Sequence, residues 1–481
     1  MANENVLATR YATETRDIFS ERGKNLSERK LWIAVMKAES ELGVNIPAED
    51  ISAYEAARDD IDLDLIKSID LKIKHDVKAK IEGFNIAASK RARRKVGQHC
   101  HRGLTSRDLT DNVEQKQFLD AGNLILGRNV SLLRHFVNRA ELYNNRAITA
   151  RTHNVAAQLT LLGRRFSMYA EELMENIGDF EHFLNNYPLR GIKGPVGTQF
   201  DMLSLLGSKE KVRILEEKVA ELLGFKRVLH SPGQVYPRSL DYRMVSKLAA
   251  LASAPQSFAK TMRLMAGYGL VDEGFDEEQS GSSIMAHKKN AKNCERICGF
   301  SELLKMYADG ASRLSGDQWQ EGDVSCSVLR RVIMPDAFYA SDGLLETSLT
   351  VLNKMKAYDG AIEGEIGFYM PFLCSTDILS KATKAGIGRE DAHKVIKTHA
   401  VAELARMQQT GSADNKLFDL IAQDPAFVKA GINREQLEAI GKDREKMFGN
   451  AREQIDDVVK DANCLVSKYP AQATYEPGPI P

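Results

Sequence analysis

Proline is scarce, and its distribution says more than its number. The 481-residue chain has 13 prolines, none between Pro47 and Pro188 and none between Pro255 and Pro335. Proline breaks helix interiors, so both gaps permit long helices. Net charge is missing too: 66 lysines and arginines balance 66 aspartates and glutamates. That balance gives no global attraction to nucleic acid or to an acidic membrane surface. No apolar run approaches the length that spans a bilayer, and the opening MANENVLATRYATETR has no apolar signal core. The six cysteines (Cys100, Cys294, Cys298, Cys326, Cys374, Cys464) are scattered without a CxxC pair. Free thiols in a reducing, cytoplasmic setting are expected. His99-Cys100-His101 has metal-ligand chemistry, but no further ligands gather around it, so no metal is expected. Strand-like alternation with hairpin turns is also rare.

The apolar pattern is helical. Leu31, Ile33, Ala34, Met36 and Ala38 fit an early helix ending at Gly43, and Ser131 to Tyr187 carries apolar positions at helical spacing among charges. Met244, Leu248, Leu251 and Ala252 repeat the spacing, and Cys294 and Cys298 lie one helical turn apart. The expected fold is all-α, a bundle of long helices with smaller helical ends. The tail from Tyr469 to Pro481 reads as irregular and mobile.

Four segments have the composition of sites. Gly281 to Asn290, GSSIMAHKKN, is too polar for a core, and glycine beside lysines suits a carboxylate or a developing oxyanion. A solvated connecting loop has the same composition. His101 to Asp108, HRGLTSRD, offers Thr105 or Ser106 as a helix cap, and a helix start is also an anion site. Arg151 to Gln158, RTHNVAAQ, is read as lying within a long helical region. Arg190 to Gln199, RGIKGPVGTQ, breaks the helices with three glycines and a proline, which fits either a sharp connection or backbone approaching a ligand.

In this order, these segments resemble the fumarase/aspartase superfamily, whose loop pattern GSSxMPxKxNP is similar to GSSIMAHKKN. RYA at Arg10 to Ala12, KHDVKA at Lys74 to Ala79, SPGQVYPRSLDYR at Ser231 to Arg243 and WQEGDVSCSVLRR at Trp319 to Arg331 narrow the resemblance to the adenylosuccinate lyases. The pattern departs at Ala286 and Ala291, which stand where the loop usually has prolines, and at Gly322, where many relatives carry an arginine that helps hold a phosphate. Pro195 replaces a small residue.

The resemblance implies elimination of fumarate from a succinylated nucleotide, with no metal or organic cofactor. It implies Ser282 as the base, His153 as the acid protonating the departing nitrogen, and Lys288 and Asn290 on the carboxylate whose charge grows. Glu295 would orient His153, with His75 and its neighbour Asp76 near the phosphate or the acid. Arg10, Tyr11, Ser327 and Arg331 would hold the phosphate. Thr105 and Ser106 would take a succinyl carboxylate, Thr152 and Gln234 the acyl and base side, and Arg296 the ribose or phosphate. His101 would stand behind these. It further implies a homotetramer whose sites draw on three chains. The implied parts are an N-terminal helical domain (1–110), a central bundle (111–365) and a C-terminal helical domain (366–481). Small-molecule nucleotides are the expected partners, with no nucleic acid and no membrane. Other superfamily lyases, a helical scaffold and a phosphate-binding module are the competing readings.

Overall fold

The structure, a computed structural model, describes residues 5–275, 284–285 and 287–480. The helices that frame the site are α1 (Glu21–Glu41), α2 (Asp76–Ala92), α3 (Ser106–Leu142), α4 (Leu162–Asn185), α5 (Ser239–Leu251), α6 (Ser253–Gly267), α7 (Lys292–Ser312) and α8 (Ser327–Lys354). A further long helix, Ala451–Val466, returns from the C-terminal part to pack on α3 and α4. The expected all-α bundle is what the chain forms. α1 stops where its sequence says: Leu42 ends the helical hydrogen bonding, and Gly43 takes a left-handed φ of 97° that other residues adopt at a cost. Proline does not always end a helix here, since Pro335 lies inside α8.

α3 and α4 pack antiparallel, as do α7 and α8. The α7–α8 pairing is close at two glycines. A Cβ on Gly310 would lie 2.5 Å from Ile333, and one on Gly343 would lie 2.9 Å from Phe300. One apolar core runs from Leu31 and Trp32 of α1 through Phe136, Phe180, Phe258 and Phe338. A second, separate cluster of Cys374, Ile378, Ile396, Phe427 and Leu437 holds the C-terminal helices. Cys294 is buried and Cys298 half-buried on α7, and all six thiols are free.

Two expectations need correction. Ser131 to Tyr187 is not one helical run. Between α3 and α4 the chain forms a hairpin of β1 (Ala147–Thr152) and β2 (Val155–Leu161). RTHNVAAQ is therefore strand and turn. The tail is also not loose: Tyr475 donates its hydroxyl to Glu346 (2.5 Å) and accepts from Arg128 (2.6 Å), while the Gly478 N–H donates to Glu346 (2.9 Å). Partners on α3 and α8 lie 129 to 347 residues away in sequence, out of reach of a local reading.

Glu39 on α1 is fully buried, and among the described residues neither carboxylate oxygen has a hydrogen-bond partner. Burial pushes its carboxyl up to about 8, with Arg102 pulling weakly the other way. The folded state thus keeps a proton that the unfolded chain loses near 4.5. Stability from this group is complete below that pH and falls as pH rises through about 8. Glu39→Gln should flatten the pH dependence of urea unfolding between pH 5 and 8, removing a loss on the order of 3 kcal/mol at pH 7.

Candidate functional site

The expected site residues fall into three groups. The first is a cleft of about 600 Å³ lined by Asp76, Ser106, Gln234, Ser327 and Arg331, with Lys24, Glu114 and Arg330. Helix starts build it. Ser106 opens α3, Asp76 opens α2 and Ser327 opens α8, so backbone N–H groups without helical partners converge on one space. Thr105 is the N-cap of α3, and its N–H donates to Asp108 at 2.8 Å. Thr105 thus caps α3, and Ser106 beside it lines the cleft. His75 is the N-cap of α2 and accepts from the Lys78 N–H at 3.4 Å. His101 sits behind, accepting from Trp32 Nε1 at 3.3 Å. Burial lowers the His101 pKa, Asp108 opposes the shift, and His75 adds to it.

Buried ion pairs that sequence reasoning missed hold this cleft. The other Asp108 oxygen accepts from Arg190 (2.6 Å) and from the N–H groups of Lys193 (2.8 Å) and Gly194 (3.0 Å). Arg190, wholly buried, also donates to the Gly233 carbonyl at 3.1 Å, beside Gln234. RGIKGPVGTQ is thus a connection, and Arg190 ties it to the cleft. Arg330 donates to Asp241 (2.6 Å), Glu114 (2.6 Å) and the Tyr236 hydroxyl. Burial works against its charge, but Asp241, Tyr236 and Glu114 outweigh that and hold its pKa above the usual guanidinium value. The only sequence signal was adjacency to Arg331. Gly322, at φ 148°, lies so close to Gln234 that a Cβ would meet the Gln234 Cβ at 3.0 Å. That backbone is strained for any side chain, so an arginine could not be placed here without a shift of the loop.

The second group surrounds the start of α7. Lys288, Asn290 and Glu295 line a cleft of about 710 Å³ against Lys260, Arg263 and Leu264 of α6. The Arg296 guanidinium lies 5.5 Å from the Tyr11 ring, which meets Phe300 edge-on at 5.1 Å, and Arg10 lies 5.7 Å over the same ring. Ser282 and Ala286 lie outside the described residues. The segment's ends are clasped. Lys289 pairs with Asp272 at 3.0 Å and with the Tyr358 hydroxyl at 3.2 Å. Glu273 accepts from the N–H groups of Asn293 and Cys294, satisfying the free donors that begin α7.

The third group is the hairpin tip. His153 and Asn154 form its two-residue turn with φ of 53° and 62°, and Thr152 pairs with Val155. Positive φ at both positions is the pattern of a type I′ hairpin turn. Thr152 and His153 are exposed, and among the described residues His153 has no hydrogen-bond or ion-pair partner. The expected Glu295 contact to His153 is not made within the chain.

The first group cannot meet the hairpin tip or the Tyr11 cluster in one chain, whereas the α7-start cleft and the hairpin's surroundings share Leu264. α3 has 37 residues and so spans about 55 Å, with Ser106 at one end and the hairpin beyond the other. Tyr11 packs on Gly343 of α8, sixteen residues past Ser327, which is about 24 Å along the helix. Among the described residues no group of three or more metal-binding side chains gathers, and no helix is long and apolar enough to cross a membrane.

A family model described as Lyase matches residues 8–302, and one described as Adenylosuccinate lyase C-terminus matches residues 371–458. The chain is 31% identical over 478 residues to the adenylosuccinate lyase of Saccharomyces cerevisiae, covering 96% of this chain and 95% of that protein. It is 29% identical over 476 residues to that of Schizosaccharomyces pombe, covering 98% and 97%. Among solved structures, the 3-carboxy-cis,cis-muconate lactonizing enzyme from Pseudomonas putida superposes with a TM-score of 0.80 over 96% of this chain and 99% of that one. At 18% identity that likeness speaks for the fold alone. Matched from end to end by sequence as well as by fold, the chain belongs to the adenylosuccinate lyases, carbon–nitrogen lyases of the fumarase/aspartase superfamily.

Proposed function

We propose that this chain releases fumarate from adenylosuccinate, giving AMP, and from the succinylated aminoimidazole carboxamide ribotide, giving AICAR, as a cytoplasmic homotetramer whose sites are each built from three chains. The observation that carries the shared site is the spacing: chemistry that must act on one C–N bond is spread over about 55 Å of a single chain. The three-part division at residues 110 and 365 belongs to the same reading.

Elimination needs a base at the carbon beside a carboxylate, an acid at the departing nitrogen, and donors for the charge that builds between them. Ser282 is the base, activated by the positive field of Lys288 and by exclusion of water. Lys288 and Asn290 hold the carboxylate that gains charge. His153 is the acid, and imidazole suits that role near neutral pH. In the assembled site Glu295 from another chain orients it, with Thr152 alongside. Ser106 and Thr105 hold the second carboxylate, with Gln234 beside them. Ser327 and Arg331 hold the phosphate, joined by Arg10, Tyr11 and Arg296 from the second group, while His75 and Asp76 close the rim. The reaction is acid–base chemistry and calls for no cofactor.

The test is fumarate release by purified protein offered adenylosuccinate, argininosuccinate and malate in parallel. Fumarate is expected from adenylosuccinate alone, and Ser282→Ala should abolish it. Release from argininosuccinate or malate without release from adenylosuccinate would reject the substrate. Full turnover by Ser282→Ala would reject the base.

A further inference from the structure

Lys24 is unexplained by the fold. It lies in the first turns of α1, half-buried, and faces the cleft of Ser106, Gln234, Ser327 and Arg331. A cation near a helix N-terminus works against the helix dipole. Among the described residues no carboxylate lies within 4.0 Å of it. The acids that feel its charge are Glu28 and Glu114. Both are already engaged, Glu28 by Lys80 at 2.8 Å and Glu114 by Arg330 at 2.6 Å. The cleft's other cations differ. Arg107 pairs with Asp111 at 3.2 Å, and Arg330 pairs with Asp241 and Glu114. Only Arg331 shares the condition of Lys24, lining the cleft with no carboxylate partner among the described residues. Two uncompensated cations therefore face one space, together with the hydroxyls of Ser106 and Ser327 and the start of α8. Gly322, beside Gln234, has no side chain to add.

We propose that Lys24 is a phosphate-binding residue, which with Arg331 and Ser327 recognises the phosphate monoester of the nucleotide. Two cations match a dianion, and an ammonium on a flexible stem serves as a point charge beside the planar fork of an arginine. This rests on the reading that the cleft at the starts of α3 and α8 takes the phosphate end of the substrate.

The experiment compares inhibition of the intact enzyme by AMP and by adenosine, which differ only in the phosphate. Lys24→Met keeps the stem and leaves no buried acid unpaired, so it should fold as the parent does. The inhibition constant for AMP is expected to rise about 10- to 100-fold, as for losing a charged hydrogen bond, while that for adenosine holds steady. KM should rise with AMP, kcat should change little, and Lys24→Arg should retain most of the AMP affinity. Equal shifts for AMP and adenosine, or none, would overturn the assignment. Arg331→Met separates the two layers of argument. If it costs AMP affinity selectively and Lys24→Met does not, Lys24 is not a phosphate ligand. If Arg331→Met is also indifferent to the phosphate, the cleft does not hold that end of the substrate and both readings fail.

Discussion

His153→Gln is expected to lower kcat about 10²- to 10⁴-fold, the usual contribution of a positioned general acid. The protein should otherwise be unchanged, because the side chain is exposed on a hairpin turn and supports no contact in the fold. Thermal unfolding of variant and parent should therefore coincide. The variant also tests how the site is put together. Arg331 lies at the start of α8, beside the start of α3, whereas His153 lies beyond the far end of α3. If an assembled site takes these two residues from different chains, some sites in a mixed tetramer of His153→Gln and Arg331→Met subunits contain neither lesion. Denaturing the two impaired proteins together and refolding them should raise fumarate release, at substrate well below the Arg331→Met KM, above that of either alone. Separately refolded and then mixed controls should show no such gain. If the co-refolded mixture shows no gain either, both residues act from one chain and the shared-site reading is wrong.

Arg330→Met is expected to have the largest effect on stability. The guanidinium is 5% exposed and serves Asp241, Glu114 and the Tyr236 hydroxyl at once. Methionine keeps most of the volume but strands two carboxylates in a buried setting. Removing one partner of such a pair typically costs about 3–5 kcal/mol, more than the pair itself contributes, because the remaining charge has lost its water. Arg330→Lys should recover only part of this, since one ammonium cannot reproduce a planar fork serving three acceptors. The loss is read as a lower urea midpoint. The variant should also raise KM, because Ser327 and Arg331 share the first turns of α8 with Arg330. An unchanged urea midpoint would mean the cluster relaxes freely and is not what holds the cleft.

Much of the helical framework was legible because its determinants are local. Proline gaps marked where helices run, Gly43 marked a stop, and Thr105 or Ser106 marked a start. The hairpin was missed for an equally local reason. Its turn is His-Asn, not the Asn-Gly or Asp-Gly pairs that usually signal positive φ at both positions. The flanking AITART and VAAQLTL are short enough to read as helix, being alanine-rich. The ion pairs under the cleft had no local signature: Arg190 and Asp108 are 82 residues apart, and Arg330 and Asp241 are 89. Motif order could nominate Ser106, Gln234, Ser327 and Arg331, which one cleft brings together. It could not show that Lys288, Glu295 and His153 lie at other levels of the same bundle, because helix length sets that separation.

The turn at residues 153 and 154 has a consequence beyond its geometry. No neighbour among the described residues grips the imidazole, so the pairing of Thr152 with Val155 determines where it sits. A ladder slip of a single residue would swing every side chain on the strand to the opposite face. Selection at Asn154 should thus concern handedness more than chemistry. Glycine there is tolerable, whereas a β-branched residue resists the left-handed backbone and would aim an intact acid away from its target.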